Sequence, residues 1–247
     1  MNKPKILVVD DEQLNVELLE GILSKDYEVV TAYNGNEALL KVEKTFPDLI
    51  LLDIMMPGMN GYDVCKKLKS NEKTMPIPIV MVTALKEKDD RIKAIEVGAD
   101  DFLSKPVDIY ELSARVRSLL RVKQYYDAMV EEQERLLVFK SALNSMDDCV
   151  LITNISGDIK FVNPAFEKKF GYVFSEIIGK HISIIKHDES TLALDKDSLI
   201  QDVRHEWKGN VVAVNKYNLR LNMSIKCSPI IKGNRHINLV FVLRESI

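Results

Sequence analysis

The chain reads as two domains of different class: a doubly wound α/β domain on a five-stranded parallel sheet, then an α+β domain on an antiparallel sheet, joined by a long helix. Three observations predict this. Short apolar runs alternate with amphipathic segments over residues 5–121. A stretch free of Gly and Pro follows over 112–143, and after Asp147 the chain turns to alternating strands separated by Gly-containing turns. The boundaries expected are 1–122, 123–143 and 144–247.

In the first domain the strand candidates are 6–9, 28–32, 49–52, 79–82 and 102–103. The first, third and fourth are continuous apolar runs, as expected of strands covered by helices on both faces. Leu14, Leu18, Leu19, Ile22 and Leu23 fall at helical spacing, as do Ala38, Leu39, Val42 and Phe46. Val64 and Leu68 follow Gly61 in a third helix, and Ile92, Ile95 and Glu96 precede the stop signal Gly98.

From Leu112 to about Leu143 a helix of roughly 32 residues would run about 48 Å. Within it Val122, Tyr126, Met129, Gln133, Leu136, Lys140 and Leu143 are spaced by alternating steps of four and three. This pattern predicts a parallel coiled coil and a homodimer, against the plainer reading of one amphipathic helix packed on a domain. In the second domain, 150–153 and 159–162 flank a Ser156-Gly157-Asp158 turn as a hairpin, and a short helix ends at Gly171. Leu219, Leu221, Met223, Ile225 and Cys227 alternate with polar residues as one half-buried strand; a turn at Lys232-Gly233-Asn234 leads into a strand over 237–243.

Composition excludes several classes. A net charge of −3 gives no electrostatic case for nucleic acid or an anionic membrane. Cys65, Cys149 and Cys227 are scattered, which supports neither a disulfide framework nor a zinc site and suits a reducing cytoplasm. Residues 1–5 are polar and run into a strand, so no leader is expected, and no apolar run approaches the roughly 20 residues of a bilayer span.

The functional signal lies where the apolar runs stop. Asp10 and Asp11 follow the first strand, Asp53 the third, Thr83 the fourth and Lys105 the fifth. Parallel strands end on one edge, where ligands of open α/β sheets bind. Three carboxylates there repel one another unless a cation joins them, and Mg²⁺ takes hard oxygen ligands of this kind. A carboxylate can itself be a nucleophile and form an acyl phosphate, whose oxygens would need a cation, an ammonium and a hydroxyl. Singly, each residue has a structural reading: Asp11 and Thr83 as helix caps, Lys105 as a solvated loop lysine, Phe102 as core. Jointly they point to phosphoryl chemistry.

On Asp10-Asp11, Asp53 followed by Met56-Pro57 and Gly61, Thr83-Ala84 and Lys105-Pro106, the first half resembles a response-regulator receiver domain. The resemblance implies a flavodoxin-like strand order of 2-1-3-4-5. It implies that Asp53 accepts a phosphoryl group from a sensor histidine kinase or phosphotransfer protein. It implies Mg²⁺ held by Asp10, Asp11 and Asp53 with the Met55 carbonyl, contacts from Thr83 and Lys105 to the phosphoryl oxygens, and Phe102 as an aromatic switch working with Thr83. Met55 and Leu85 fall where side chains tune dephosphorylation. Two enzymes of similar topology are excluded: Asp10-Asp11-Glu12 would repel a flavin phosphate, and Met55 stands where a haloacid dehalogenase-type phosphatase needs its second Asp.

The remainder resembles a PAS domain on Asp148-Cys149-Val150, Gly157, Phe161-Val162-Asn163, Ala165-Phe166, Phe170-Gly171-Tyr172, Glu176-Ile177-Ile178-Gly179-Lys180, Trp207-Lys208-Gly209 and Ser228-Pro229-Ile230. No Asn-Cys-Arg flavin motif is present. His181 and His187 are read as surface residues rather than haem ligands, and Trp207 as packing, so this domain is expected to bind no cofactor and to pair or relay. The expected function is a cytoplasmic two-component response regulator that relays the state of Asp53 through the helix to the PAS domain. Dimerisation is expected through the helix, the PAS domain or both, with no nucleic-acid or membrane partner, and no catalytic activity beyond self-phosphorylation and self-dephosphorylation. Two other readings stay open: a PAS ligand sensor modulated by the receiver, and the front part of a hybrid kinase or cyclase. The second follows from Arg244-Glu245-Ser246-Ile247, which resembles the tetrad leading from PAS domains into an effector.

Overall fold

The computed structural model describes residues 3–84, 88–185, 206–233 and 235–246. Contacts divide the chain into two compact units, Met1–Gln133 and Glu134–Ile247.

The first unit is a five-stranded parallel sheet of β1 (Lys5–Val9), β2 (Glu28–Ala32), β3 (Leu49–Asp53), β4 (Ile79–Thr83) and β5 (Asp101–Ser104), in the order β2-β1-β3-β4-β5. Between them run α1 (Gln13–Leu23), α2 (Gly35–Thr45), α3 (Gly61–Lys69) and α4 (Lys88–Glu96), and α5 (Ile109–Ser145) follows. Every residue of β3 and β4 is buried, because helices cover both sheet faces. One face packs Leu7, Ile50 and Met81 under α2 and α3, and the other packs Ile6, Leu51 and Val80 under α1 and α5.

Some helix faces differ from those the spacing predicts. In α1 the buried stripe is Val16, Leu19 and Leu23, whereas Leu14 and Leu18 are exposed. Among the described side chains of α4, Ala94 is buried, and Ile92 and Ile95 stay exposed. Phe46 leaves the α2 stripe because it is the left-handed cap (φ 42°) that ends the helix. A single α5 covers the whole predicted stretch: Leu112, Val116 and Leu120 bury against the sheet layer, and beyond Leu120 no residue up to Ser145 is buried.

The second unit is an antiparallel sheet of β6 (Cys149–Asn154), β7 (Ile159–Val162), β8 (Trp207–Val214), β9 (Arg220–Lys232) and β10 (Arg235–Glu245), ordered β7-β6-β10-β9-β8. The helices α6 (Pro164–Phe170) and α7 (Phe174–Ile177) and a one-turn 3₁₀ helix (Ile182–Ile185) cover one face around stacked Phe166 and Phe170. Strand β8 is an addition to the predicted elements. The β9 alternation holds from Leu221 to Cys227, while Leu219 lies before the strand and is exposed. Asn234 and Ile247 lie outside the described residues.

Asn163 holds this unit together where α5 ends. Its buried carbonyl oxygen accepts from Val150 N (2.9 Å) and Phe166 N (3.0 Å), and its amide donates to Leu143 O (3.1 Å) and Asp148 O (2.9 Å). One side chain thus caps α6, starts β6 and ties down the last turns of α5. Asn163→Ala removes a cap and leaves the Val150 N–H without its side-chain acceptor, so it should cost the second unit about 2–4 kcal/mol. Urea unfolding followed at Trp207 would show this, and a loss below about 0.5 kcal/mol would contradict the role given to Asn163.

Candidate functional site

Four strand ends converge on one edge of the first sheet. Asp10 follows β1 directly and is buried (1% exposed), and Asp11 beside it is exposed. Asp53 and Thr83 are the last residues of β3 and β4, each 3% exposed. Lys105 follows β5, ahead of the cis-peptide Pro106, and its N–H donates to Thr83 O at 2.7 Å, which fixes the fifth strand end beside the fourth.

The Lys105 ammonium joins the acids. Its Nζ lies 2.7 Å from Asp10 Oδ2 and 2.7 Å from Asp53 Oδ1. Asp53 Oδ2 accepts from Met55 N at 2.8 Å, and Asp10 Oδ1 accepts from Glu12 N and Asn15 Nδ2, both at 3.0 Å. Both buried carboxylates are thereby held in one orientation. An oxygen from each of Asp10, Asp11 and Asp53 lies within 4.8 Å of the others, a hard-oxygen set of the kind Mg²⁺ takes. Gly61 closes the floor: a Cβ there would stand 2.2 Å from Asp53 O, so only glycine lets α3 start this close to the strand end.

Burial pushes the Asp53 carboxyl above its ordinary value, with Asp10 adding to the rise, although bonds from Lys105 and Met55 pull the other way. Burial also works against the Lys105 charge, but its bonds to Asp10 and Asp53 outweigh this and raise the ammonium. The ammonium therefore stays charged, and burial opposes the charge on Asp53.

Residues 6–117 match the family model of the response regulator receiver domain, and 147–245 match that of the PAS domain. The chain is a receiver domain followed by a PAS domain. Among curated relatives it is 42% identical over 188 residues to the response regulator PleD of Caulobacter vibrioides, a match covering 74% of this chain and 40% of that protein. It is 48% identical over 122 residues to the alkaline phosphatase synthesis transcriptional regulatory protein PhoP of Bacillus subtilis, covering 49% of this chain and 50% of that one. The chain therefore spans half or less of the length of these relatives. A solved two-component response regulator from Clostridium difficile is 34% identical, with a TM-score of 0.46, covering 48% of this chain and 97% of that one.

The receiver structure brings together Asp10, Asp11, Asp53, Thr83 and Lys105. Met55 lies beside Asp53 with its side chain exposed, its N–H serving the carboxylate. Phe102 stands one strand over, half-buried, with the Arg115 guanidinium 5.8 Å from its ring. The capping reading of Asp11 does not hold, since Glu12 is the cap residue of α1 and Asp10 takes the Glu12 N–H. Thr83 ends a strand five residues before α4. The sequence reading missed Asn15, which steadies Asp10 from the first turn of α1; an amide within one helical turn of the acid pair was the available signal. Leu85 lies outside the described residues.

In the PAS domain, Cys149 and Cys227 are buried strand residues whose thiols burial pushes to about 11 and about 12; Cys65 in α3 is likewise raised to about 11. None is a ready nucleophile. Trp207 packs against the core and lies over Gly209, where a Cβ would stand 2.5 Å from the indole. His181 is partly exposed, with its Nε2 buried against Gly157 and its Nδ1 2.9 Å from Ser183 Oγ. His187 lies outside the described residues, among which no helix is long and apolar enough to cross a membrane.

The raised Asp53 carboxyl has a stability consequence. The folded state keeps this proton to higher pH than the unfolded chain does, so Asp53 favours folding at low pH and costs stability as pH rises through its folded value. Asp53→Asn should therefore raise the receiver melting temperature at pH 7 by about 2–5 °C. The gain should close as pH falls toward 3.8, the ordinary aspartate value. Calorimetry across pH checks this, and a gain that grows on acidification would reverse the assignment.

Proposed function

We propose that the protein is a two-component response regulator in which Asp53 accepts a phosphoryl group from a sensor histidine kinase or a phosphotransfer protein. The observation that carries this is the single ammonium 2.7 Å from both Asp53 and Asp10 at the sheet edge where Thr83 also ends its strand. A carboxylate oxygen of Asp53 attacks phosphorus, the P–N bond of the donor phosphohistidine breaks, and the leaving imidazole takes a proton. The Lys105 ammonium favours the ionised form of Asp53 that makes this attack, and the Met55 N–H and Lys105 fix the direction in which it faces. Lys105 and the Thr83 hydroxyl then meet the new phosphoryl oxygens. Mg²⁺ would be held by Asp10, Asp11, Asp53 and the Met55 carbonyl. When bound it offsets the negative charge that phosphoryl transfer brings into an acidic site.

The output is a population shift. Contact of Thr83 with the phosphoryl group favours an inward Phe102, which alters the layer that α4, β5 and α5 form and hence the start of α5. That helix, without Gly or Pro from Ile109 to Ser145, carries the change toward the PAS domain. The exposed Val122, Tyr126, Met129 and Leu136 fall on the predicted seam and support a homodimer through α5.

Incubation with a small-molecule phosphodonor and Mg²⁺ should label the chain, and Asp53→Asn should abolish labelling; undiminished labelling of the variant refutes the assignment. Independently, Leu136→Glu should shift a sedimenting dimer toward monomer by about tenfold or more in dissociation constant. An unchanged dimer would move the interface off the seam.

A further inference from the structure

A second site lies at the opposite edge of the receiver sheet. A cleft of about 570 Å³ runs along α5 beside Pro4 and Tyr27, the residues immediately before β1 and β2. Its volume falls within the roughly 300–1,000 Å³ of small-molecule sites. Into it face Tyr110, Ser113, Arg117, Arg121 and Gln124 from α5, and no carboxylate lines it.

Its charge is uncompensated. Arg115, in the same part of the helix, is engaged by Asp101 and Glu111. Arg117 and Arg121, by contrast, make no hydrogen bond or ion pair with any described residue. They stand one helical turn apart, so two guanidinium groups share one face and repel each other. An anion with several oxygens answers both groups at once, and phosphate fits the planar guanidinium fork. The tyrosines add flat apolar faces, and Ser113 and Gln124 supply polar groups between them. Tyr110 lies seven residues before Arg117, about 10 Å along the helix, a span suited to a ring joined through a sugar to a phosphate.

We propose that this cleft binds a nucleoside phosphate, with Arg117 and Arg121 on the phosphate and a tyrosine against the base. The arginine face of α5 is about 130° around the helix from the Val122–Tyr126–Met129 seam, so the site stays open in the dimer proposed above. A ligand here joins α5 to the amino edge of the sheet without touching the acidic notch.

Isothermal titration of the full 247-residue chain tests this with four probes: adenosine monophosphate, guanosine monophosphate, inorganic phosphate and a peptide of residues 127–139, the acidic part of α5. At least one nucleotide should bind, and more tightly than inorganic phosphate. Joint Arg117→Ala and Arg121→Ala substitution should weaken it by more than about tenfold. Tyr110→Ala or Tyr27→Leu should weaken the nucleotide and leave inorganic phosphate unchanged. Thermal unfolding confirms that the variants fold. The proposal is overturned if neither nucleotide binds, if binding survives loss of both arginines, or if inorganic phosphate binds as well as the nucleotides. Binding of the acidic peptide in place of nucleotide would instead assign the cleft to a second copy of this chain, and also overturns it.

Discussion

The receiver site depends on one ammonium group shared by two buried carboxylates. Asp10 and Asp53 stand at the ends of adjacent parallel strands, each almost out of water, and the Lys105 Nζ lies 2.7 Å from both. Without it, two like charges would face each other in a low-dielectric setting with no ammonium between them to offset their repulsion. The topology follows from this need. Only parallel strands ending level can set Asp10, Asp53 and Thr83 side by side, and the Lys105 N–H to Thr83 O bond brings the lysine to the same height. Backbone N–H groups at this edge hold the acids as well: Asp10 takes that of Glu12, the cap residue of α1, and Asp53 takes that of Met55 in the loop after β3.

This arrangement is poised rather than relaxed. The ammonium holds both acids in place, yet it only partly offsets the effect of burial on Asp53. In the proposed transfer, Lys105 would exchange part of its carboxylate contact for phosphoryl oxygen while Asp10 retains its hold through Oδ1 on Glu12 N and Asn15.

How much of this was legible in the sequence follows from which interactions are local. Strand ends were readable because an apolar run stopping at Asp, Thr or Lys reports both the edge and the chemistry. The alternation of β9 was readable because its period is two and one face is buried. The α1 face was misjudged because leucine fills exposed as well as buried helix positions: Leu14 and Leu18 lie toward solvent while Val16 packs. Strand β8 escaped because Gly209 and Asn210 interrupt its apolar pattern, and Gly209 is explained only by the Trp207 indole above it. Asn15 escaped, and Asn163 was named only within a family pattern and without its role, because an amide carries little signal until partners such as Asp10 and Leu143, 5 and 20 residues away, are in place.

The long helix shows why the two domains belong in one argument. Over its first turns α5 is held by one face, with Leu112, Val116 and Leu120 buried, a contribution on the order of 1.5–3 kcal/mol for each side chain. At its far end Leu143 O is bound by Asn163, a residue that also organises β6 and α6. Between these anchors the helix has three separate faces: the buried one, the arginine cleft and the apolar seam. It carries neither Gly nor Pro to serve as a hinge. In the relay proposed above, a shift in the packing beneath Leu112 and Val116 would enter α5 at its first turns. Occupation of the seam or of the cleft would then set how far the shift travels. In that proposal the helix faces, together with the acidic notch, would set the output.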